Sequence, residues 1–196
     1  MENLTEREKI FVEHTEKTIN HLNNHPCIVY YTIFNEGWGQ FAAEGLYRLV
    51  KKLDSSRIID TASGWFKGAE SDVQSEHIYF KTPSLLPLVD GTKPFILSEC
   101  GGYAHEVKGK TWSIFSSYGY GAFQDTASLT NAVTSLYEKM ILPAIEKGVS
   151  GCVYTQLSDV EDEINGFYTY ERSVCKVDIP SIRAVAEKIL VNLADI

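Results

Sequence analysis

The sequence predicts an α/β protein with a parallel sheet and helices packed outside it. Three observations carry that expectation. Short apolar runs of strand length alternate with stretches of helical periodicity, which is the pattern of βαβ units. Cys27 to Phe34 (CIVYYTIF) places eight apolar or β-favouring residues in succession, as in a strand buried on both faces. The 196 residues, 44% hydrophobic and 22% charged, contain no low-complexity linker, second core or repeat, so residues 1–196 read as one domain.

Along the chain, Thr5 and Glu8 form an S/T-x-x-E capping box for a first helix whose stripe is Ile10, Phe11, Ile19 and Leu22. The NNHP stretch, Asn23 to Pro26, stops it, and the Cys27 to Phe34 strand follows. Phe41, Leu46, Leu49, Val50 and Leu53 mark a second helix. Arg57 to Ala62, Glu76 to Phe80 and Pro94 to Ser98 read as three more strands. Cys100 to about Thr126 is irregular and holds Tyr103, Trp112, Phe115, Tyr118, Tyr120 and Phe123. A segment of that length without regular structure is commonly functional. Its aromatics either cover an apolar surface or stack on sugar rings. Ser128 to Lys147 is helical with an interruption near Pro143, Val149 to Gln156 is a fifth strand, and Ser181 to Leu193 is a final helix.

The formal charge of -8 argues against nucleic acid and anionic membranes as partners. An aromatic share of 12% suits a neutral ligand. Cys27, Cys100, Cys152 and Cys175 are widely spaced, with no CxxC and no Cys/His cluster, so they read as reduced thiols and no metal site is expected. The N-terminus lacks the pattern of a signal peptide, and no apolar run has the length of a membrane span. The chain therefore reads as cytoplasmic, unless a longer parent carries a leader. Phosphate loops and the G-x-S-x-G elbow are absent, which leaves little for a doubly wound sheet binding a phosphorylated ligand.

Two glutamates remain, each directly behind an apolar strand. Glu36 stands in IFNEGWGQF and Glu99 in PFILSECGG, at the strand ends where ligand crevices form in α/β proteins. Gly37, Gly39, Gly101 and Gly102 let the backbone turn sharply behind them. Each glutamate alone could be a helix N-terminal charge. Together they are the pair that glycosidic cleavage needs, one carboxyl protonating the leaving oxygen and the other facing the anomeric carbon. The two need different environments. Trp38 is a source of apolar shielding beside Glu36, and the Gly-Gly turn after Glu99 offers N–H groups.

Asn35-Glu36-Gly37-Trp38, Ser98-Glu99 with Gly101-Gly102, and VYTQLSDVEDEINGFYTYER from Val153 to Arg172 together resemble the catalytic (β/α)₈ barrel of glycoside hydrolase family 2, which includes β-galactosidases, β-glucuronidases and β-mannosidases. The resemblance implies a retaining β-glycosidase without cofactor, with Glu36 as general acid/base and Glu99 as nucleophile. It implies that Asn35 bonds the sugar 2-hydroxyl and that His77 and Tyr79 fall among site residues. Trp38, Trp65, Gln156 and Asp159 become candidate pocket walls, each equally open to a structural role. EINGFYTYERS lacks the lysine of the N-x-K pair that holds a sugar carboxylate in the family's β-glucuronidases, so a neutral, β-galactosidase-like glycoside is expected. The resemblance further implies strands four to eight of the barrel, which is typically about 250 residues long. That partial barrel would be oligomeric or associate through its open edges. The alternative is a fragment inactive alone, with carbohydrate-binding or structural character.

Overall fold

The computed structural model describes residues 3–65, 70–79 and 91–194, with side chains as far as residue 191. The chain divides into two compact units, Met1–His77 with Gly91–Ser98, and Ile78–Asp90 with Glu99–Ile196.

The first unit opens with helix α1, Glu6–Leu22. Its capping box is formed as expected: the Thr5 side chain accepts from the Glu8 N–H, and the Glu8 carboxylate accepts from the Thr5 N–H at 2.7 Å. Phe11 and Ile19, two turns apart, face inward, whereas Ile10 of the expected stripe is 54% exposed because it points away from that face. Strand β1, Tyr30–Asn35, runs parallel to β2, Ile58–Ser63, with Tyr30 opposite Ile58 and Asn35 opposite Ser63. The crossover helix between them is α2, Ala43–Leu53. Arg57 fastens the turn before β1, donating to the carbonyls of Asn23 at 2.8 Å and Ile28 at 3.0 Å.

Ile19, Val50 and Ile59 form the core of this unit, with Tyr31, Ile33, Tyr47 and Leu53 packed around them. Full burial of each such aliphatic side chain stabilises by about 1.5–3 kcal/mol. Phe11 stacks on Phe34 with ring centroids 5.3 Å apart, and Phe41 meets both rings edge-on. Strand β3, Gln74–Ile78, lies beside the first half of β4, Phe95–Gly101. The Gln74 N–H donates to the Pro94 carbonyl at 2.9 Å and the Ser98 hydroxyl to the Glu76 carbonyl at 3.3 Å. The expected third strand reaches Phe80, which lies outside the described residues.

In the second unit the end of β4 lies beside β7, Val149–Thr155, and the Cys100 thiol donates to the Val153 carbonyl at 3.4 Å. The segment expected to be irregular contains two short parallel strands, β5, Tyr103–Ala104, and β6, Tyr120–Ala122. Helix α3, Thr126–Leu136, starts from a reciprocal cap between Asp125 and Ser128. A π-helical turn, Tyr137–Ile141, then leads into the short helix α4, Leu142–Ile145. The break lies one turn ahead of Pro143, because a proline ring excludes the carbonyl four residues before it, here that of Lys139. Helix α5, Ile179–Ala194, closes the unit. Its start is held by the Asp178 carboxylate, which accepts from the Ser181 N–H at 3.0 Å.

Leu129, Val133 and Val177 form the second core, with Tyr103, Phe123, Tyr154, Phe167 and Ile182 against them. Tyr103 and Phe123 of the aromatic segment thus cover apolar surface, while Trp112, Phe115 and Tyr118 stand 57%, 93% and 49% exposed. Among the described residues no helix is long and apolar enough to cross a membrane.

Candidate active site

Glu36 follows the last residue of β1 with φ 55, in the left-handed region that costs a non-glycine residue about 1–2 kcal/mol. That conformation is held: the Glu36 N–H donates to the Ser63 carbonyl at 3.0 Å, and the Ser63 hydroxyl donates to Asn35 Oδ1 at 2.9 Å. Backbone strain of this kind concentrates where a side chain must be aimed. The Glu36 side chain is 18% exposed, and its Oε1 lies 2.7 Å from Nδ1 of His77, whose side chain is fully buried. Gly64, with φ +77, makes room for that ring, since a Cβ there would lie 2.7 Å from both Cγ and Nδ1 of His77. Trp65 meets His77 edge-on at 6.3 Å.

Asp60 of β2 is 1% exposed and accepts a hydrogen bond from the Tyr30 hydroxyl at 2.8 Å. Burial pushes its carboxyl above the usual range, against the pull of its bonds from Tyr30 and Ser75 and of His77. Trp38, expected as apolar shielding beside Glu36, is 80% exposed.

In the second unit Glu99 stands near the end of β4 and accepts a short hydrogen bond from the Tyr79 hydroxyl. Tyr79 Oη also lies 3.2 Å from Thr155 Oγ1 at the end of β7. Burial first, then the bond to the Glu99 carboxylate, pushes the Tyr79 hydroxyl far above its ordinary pKa, so the phenol stays a donor across the working range. The Tyr120 ring stacks on Tyr79, centroids 3.9 Å apart and 18° between planes. A Cβ on Gly102 would lie 2.6 Å from Tyr120 and 3.0 Å from Tyr79. A side chain there would wedge into the pair that carries the donor to Glu99.

The Thr155–Gln156 peptide bond is cis. Beyond it, Gln156 Nε2 donates to Glu163 Oε2 at 2.9 Å and to Asn165 Oδ1 at 2.8 Å, and Asn165 Nδ2 lies 3.3 Å from Glu163 Oε2. Two amides therefore converge on one carboxylate. Asp159, expected on the pocket wall, is only 4% exposed, and its Oδ1 accepts from Lys176 Nζ at 2.7 Å and from the Gly166 N–H at 2.9 Å. Lys176, fully buried, spends its other protons on the carbonyls of His105 at 3.0 Å and Ile164 at 2.9 Å. Asp159 is thereby engaged in holding the fold.

The groups that the sequence does not single out are Asp60, Ser63, Thr155, Glu163 and Asn165. Asp60 carried a signal, an acid inside the apolar run RIIDTA. A carboxylate there must be paired or functional.

Each glutamate is bonded by a side chain from the Gln74 to Tyr79 stretch, Glu36 in the first unit by His77 and Glu99 in the second by Tyr79. Residues 2–163 match the family described as Glycosyl hydrolases family 2, TIM barrel domain, and the chain belongs to that family; its α/β elements are part of a TIM-barrel domain. None of the curated proteins matches it. Solved structures similar in fold include the β-glucuronidase of Parabacteroides merdae, with TM-score 0.65 and 14% identity over 88% of this chain and 26% of that one. The β-glucuronidase of an uncultured Clostridium species gives 0.59 and 17% over 92% and 35%, and that of Faecalibacterium prausnitzii 0.59 and 15% over 91% and 35%. The chain spans about a third or less of the length of these structures.

Proposed function

We propose that the chain carries the catalytic carboxylates of a retaining glycosidase acting on a neutral, β-galactoside-like glycoside. The observation that carries this is the provision made for each glutamate: Glu36 on His77 at 2.7 Å, and Glu99 on the hydroxyl of Tyr79. In the proposed reaction the Glu99 carboxylate attacks the anomeric carbon as the glycosidic C–O bond breaks. The bonding pair leaves with the aglycone oxygen, which takes the Glu36 proton. A water then gives its proton back to Glu36 and displaces Glu99 from the sugar, so configuration at the anomeric carbon is retained overall. Asn35, oriented by Ser63, takes the sugar 2-hydroxyl. Trp65, His77 and Gln156 stay in the reading as pocket residues, and Trp38 stays only as an exposed surface for the leaving group.

The neutral substrate is supported by the cluster after β7. Glu163 with Gln156 and Asn165 offers amide donors and one carboxylate, which suits sugar hydroxyls and repels a sugar carboxylate. Lys176, the first lysine after that cluster in sequence, is buried and already committed to three acceptors. A second reading, an acid sugar, has in its favour the β-glucuronidases among the structures similar in fold. A third, that the chain alone is inactive with binding or structural character, stands if turnover is absent.

The test is turnover of 4-nitrophenyl β-D-galactoside, β-D-glucoside, β-D-mannoside and β-D-glucuronide by the chain and by Glu36→Ala with added azide. The expected result is a neutral sugar preferred at least about tenfold over the glucuronide, a discrimination of about 1.4 kcal/mol, and a β-glycosyl azide from the variant. Preference for the glucuronide, or an azide product of inverted configuration, overturns it.

A further inference from the structure

We infer that the segment from His105 to Ser117 forms a second carbohydrate-binding cleft, on the leaving-group side, for the continuing chain of a neutral oligosaccharide. Its place on the leaving-group side rests on the reading of Glu99 given above; the binding itself does not. A cleft of about 450 Å³ opens in this segment, with Glu106, Thr111, Ser113, Phe115, Ser116 and Ser117 among its walls. That volume is within the range of small-ligand sites. Hydroxyl groups dominate the lining and Glu106 is its one charged residue, so the cleft presents what a neutral polyhydroxylated ligand can bond and nothing that would neutralise an anion.

The apolar faces that a sugar ring needs are also there, and they are held out in water. Phe115 and Ile114 of its walls are 93% and 84% exposed, and Trp112, next to the wall residues Thr111 and Ser113 in sequence, is 57% exposed. Leaving a phenyl ring in solvent forgoes the stabilisation that burial would give, yet the local backbone is fixed so as to present it. The N–H groups of Phe115 and Ser116 both donate to Ser113 Oγ at 3.2 Å. The Ser116 hydroxyl donates to Asp162 Oδ2 at 3.3 Å, and the Tyr118 N–H to the Asp162 carbonyl at 2.7 Å. Trp112 is backed by Tyr170, ring centroids 6.4 Å apart.

The same segment is tied to Glu99 within its unit. It leaves β4 shortly after Glu99 and returns through Tyr118, whose ring meets Tyr120 edge-on at 5.5 Å. Tyr120 stacks on Tyr79, the donor to Glu99. A line of aromatic rings, Tyr79, Tyr120 and Tyr118, thus runs from the carboxylate to the residue that follows the segment carrying Phe115. A substrate bonded at Glu99 and extended along that line would lay its next units against the hydroxyl-lined cleft.

The test uses the Glu99→Gln chain, so that binding is read without turnover, and titrates calorimetrically with cellotetraose, β-1,4-mannotetraose and β-1,4-galactotetraose. At least one tetrasaccharide is expected to bind, and Phe115→Ala and Trp112→Ala, each made in that background, are expected to weaken it about tenfold, the loss of one ring contact of about 1.4 kcal/mol. In chains that keep Glu99, the same substitutions should raise KM for that tetrasaccharide more than for the 4-nitrophenyl monosaccharide glycoside. Absence of tetrasaccharide binding at millimolar concentration, or binding indifferent to both substitutions, overturns the cleft. If the substitutions weaken binding while Glu99 fails to form a covalent adduct with a fluorosugar, the cleft stands and the catalytic reading falls. Both side chains are mostly exposed, so their truncation leaves the fold intact, and an unchanged unfolding midpoint checks this.

Discussion

Replacing Gly64 with alanine tests how tightly His77 is seated against Glu36. Gly64 has φ +77, so any L residue there takes on left-handed strain of about 1–2 kcal/mol. Gly39, with φ +64, carries the same liability but has nothing within 4 Å of the position a Cβ would occupy, so Gly39→Ala isolates the backbone cost. At Gly64 the new methyl would stand 2.7 Å from Cγ and Nδ1 of His77 and 2.9 Å from Cδ2. The ring is fully buried and hydrogen-bonded at 2.7 Å to Glu36. Either the neighbours absorb the overlap, at about 1–3 kcal/mol, or the ring swings away and loses a charged hydrogen bond of about 1.5–3 kcal/mol.

The lower of these sets the difference between the two variants at about 1–3 kcal/mol, a shift of roughly 1 M in urea midpoint. Nitrogen chemical shifts of the His77 ring should move in Gly64→Ala and not in Gly39→Ala. Turnover should fall about 100-fold in the former, the scale of a displacement near 1 Å at a reacting group. Equal midpoints for the two variants with an unmoved His77 signal would refute this reasoning.

Tyr79→Phe removes the hydroxyl that donates to Glu99 while keeping the stack on Tyr120; kcat should drop about 100-fold or more with little change in unfolding midpoint. Lys176→Met leaves Asp159 buried without its cation, and urea unfolding should register about 3–5 kcal/mol of destabilisation. Burial pushes the Cys100 thiol up to about 12, and burial with the bond to Asp72 does the same for the Tyr47 hydroxyl. Both groups keep their protons in the folded state at pH values where the unfolded chain loses them, near about 8.5 and 10. Their contribution is therefore complete below those values and is lost as pH rises towards about 12; thermal midpoints measured from pH 8 upward should fall. At neutral pH iodoacetamide should label exposed Cys27 and spare Cys100 until the protein unfolds, as peptide mass mapping would read.

Much of the fold was legible because its signals are local. The Thr5 and Glu8 box, the CIVYYTIF run and the apolar spacing of Leu46 and Val50 each specify an element within a few residues, and all three elements formed. The helix break lies near Pro143, in the π-helical turn Tyr137–Ile141, since the proline acts on the carbonyl of Lys139. The glutamates were legible because an acid behind an apolar strand is costly without a purpose. What they pair with was set by contacts distant in sequence. Asp159 meets Lys176 across 17 positions and Glu36 meets His77 across 41, and no local pattern encodes such pairings. Trp38 is a converse case: it stands two positions after Glu36, yet its ring is 80% exposed, which the local sequence does not encode.

The most direct test of a retaining mechanism with Glu99 as nucleophile is mass mapping after incubation with an activated 2-deoxy-2-fluoro β-galactoside. The electron-withdrawing fluorine slows breakdown of the glycosyl-enzyme ester and lets it accumulate. The expected result is a single fluorosugar adduct on the peptide containing Glu99, absent from Glu99→Gln and released by an acceptor sugar. An adduct on another residue, or steady turnover of the parent glycoside to a product of inverted configuration with no adduct at all, would contradict it.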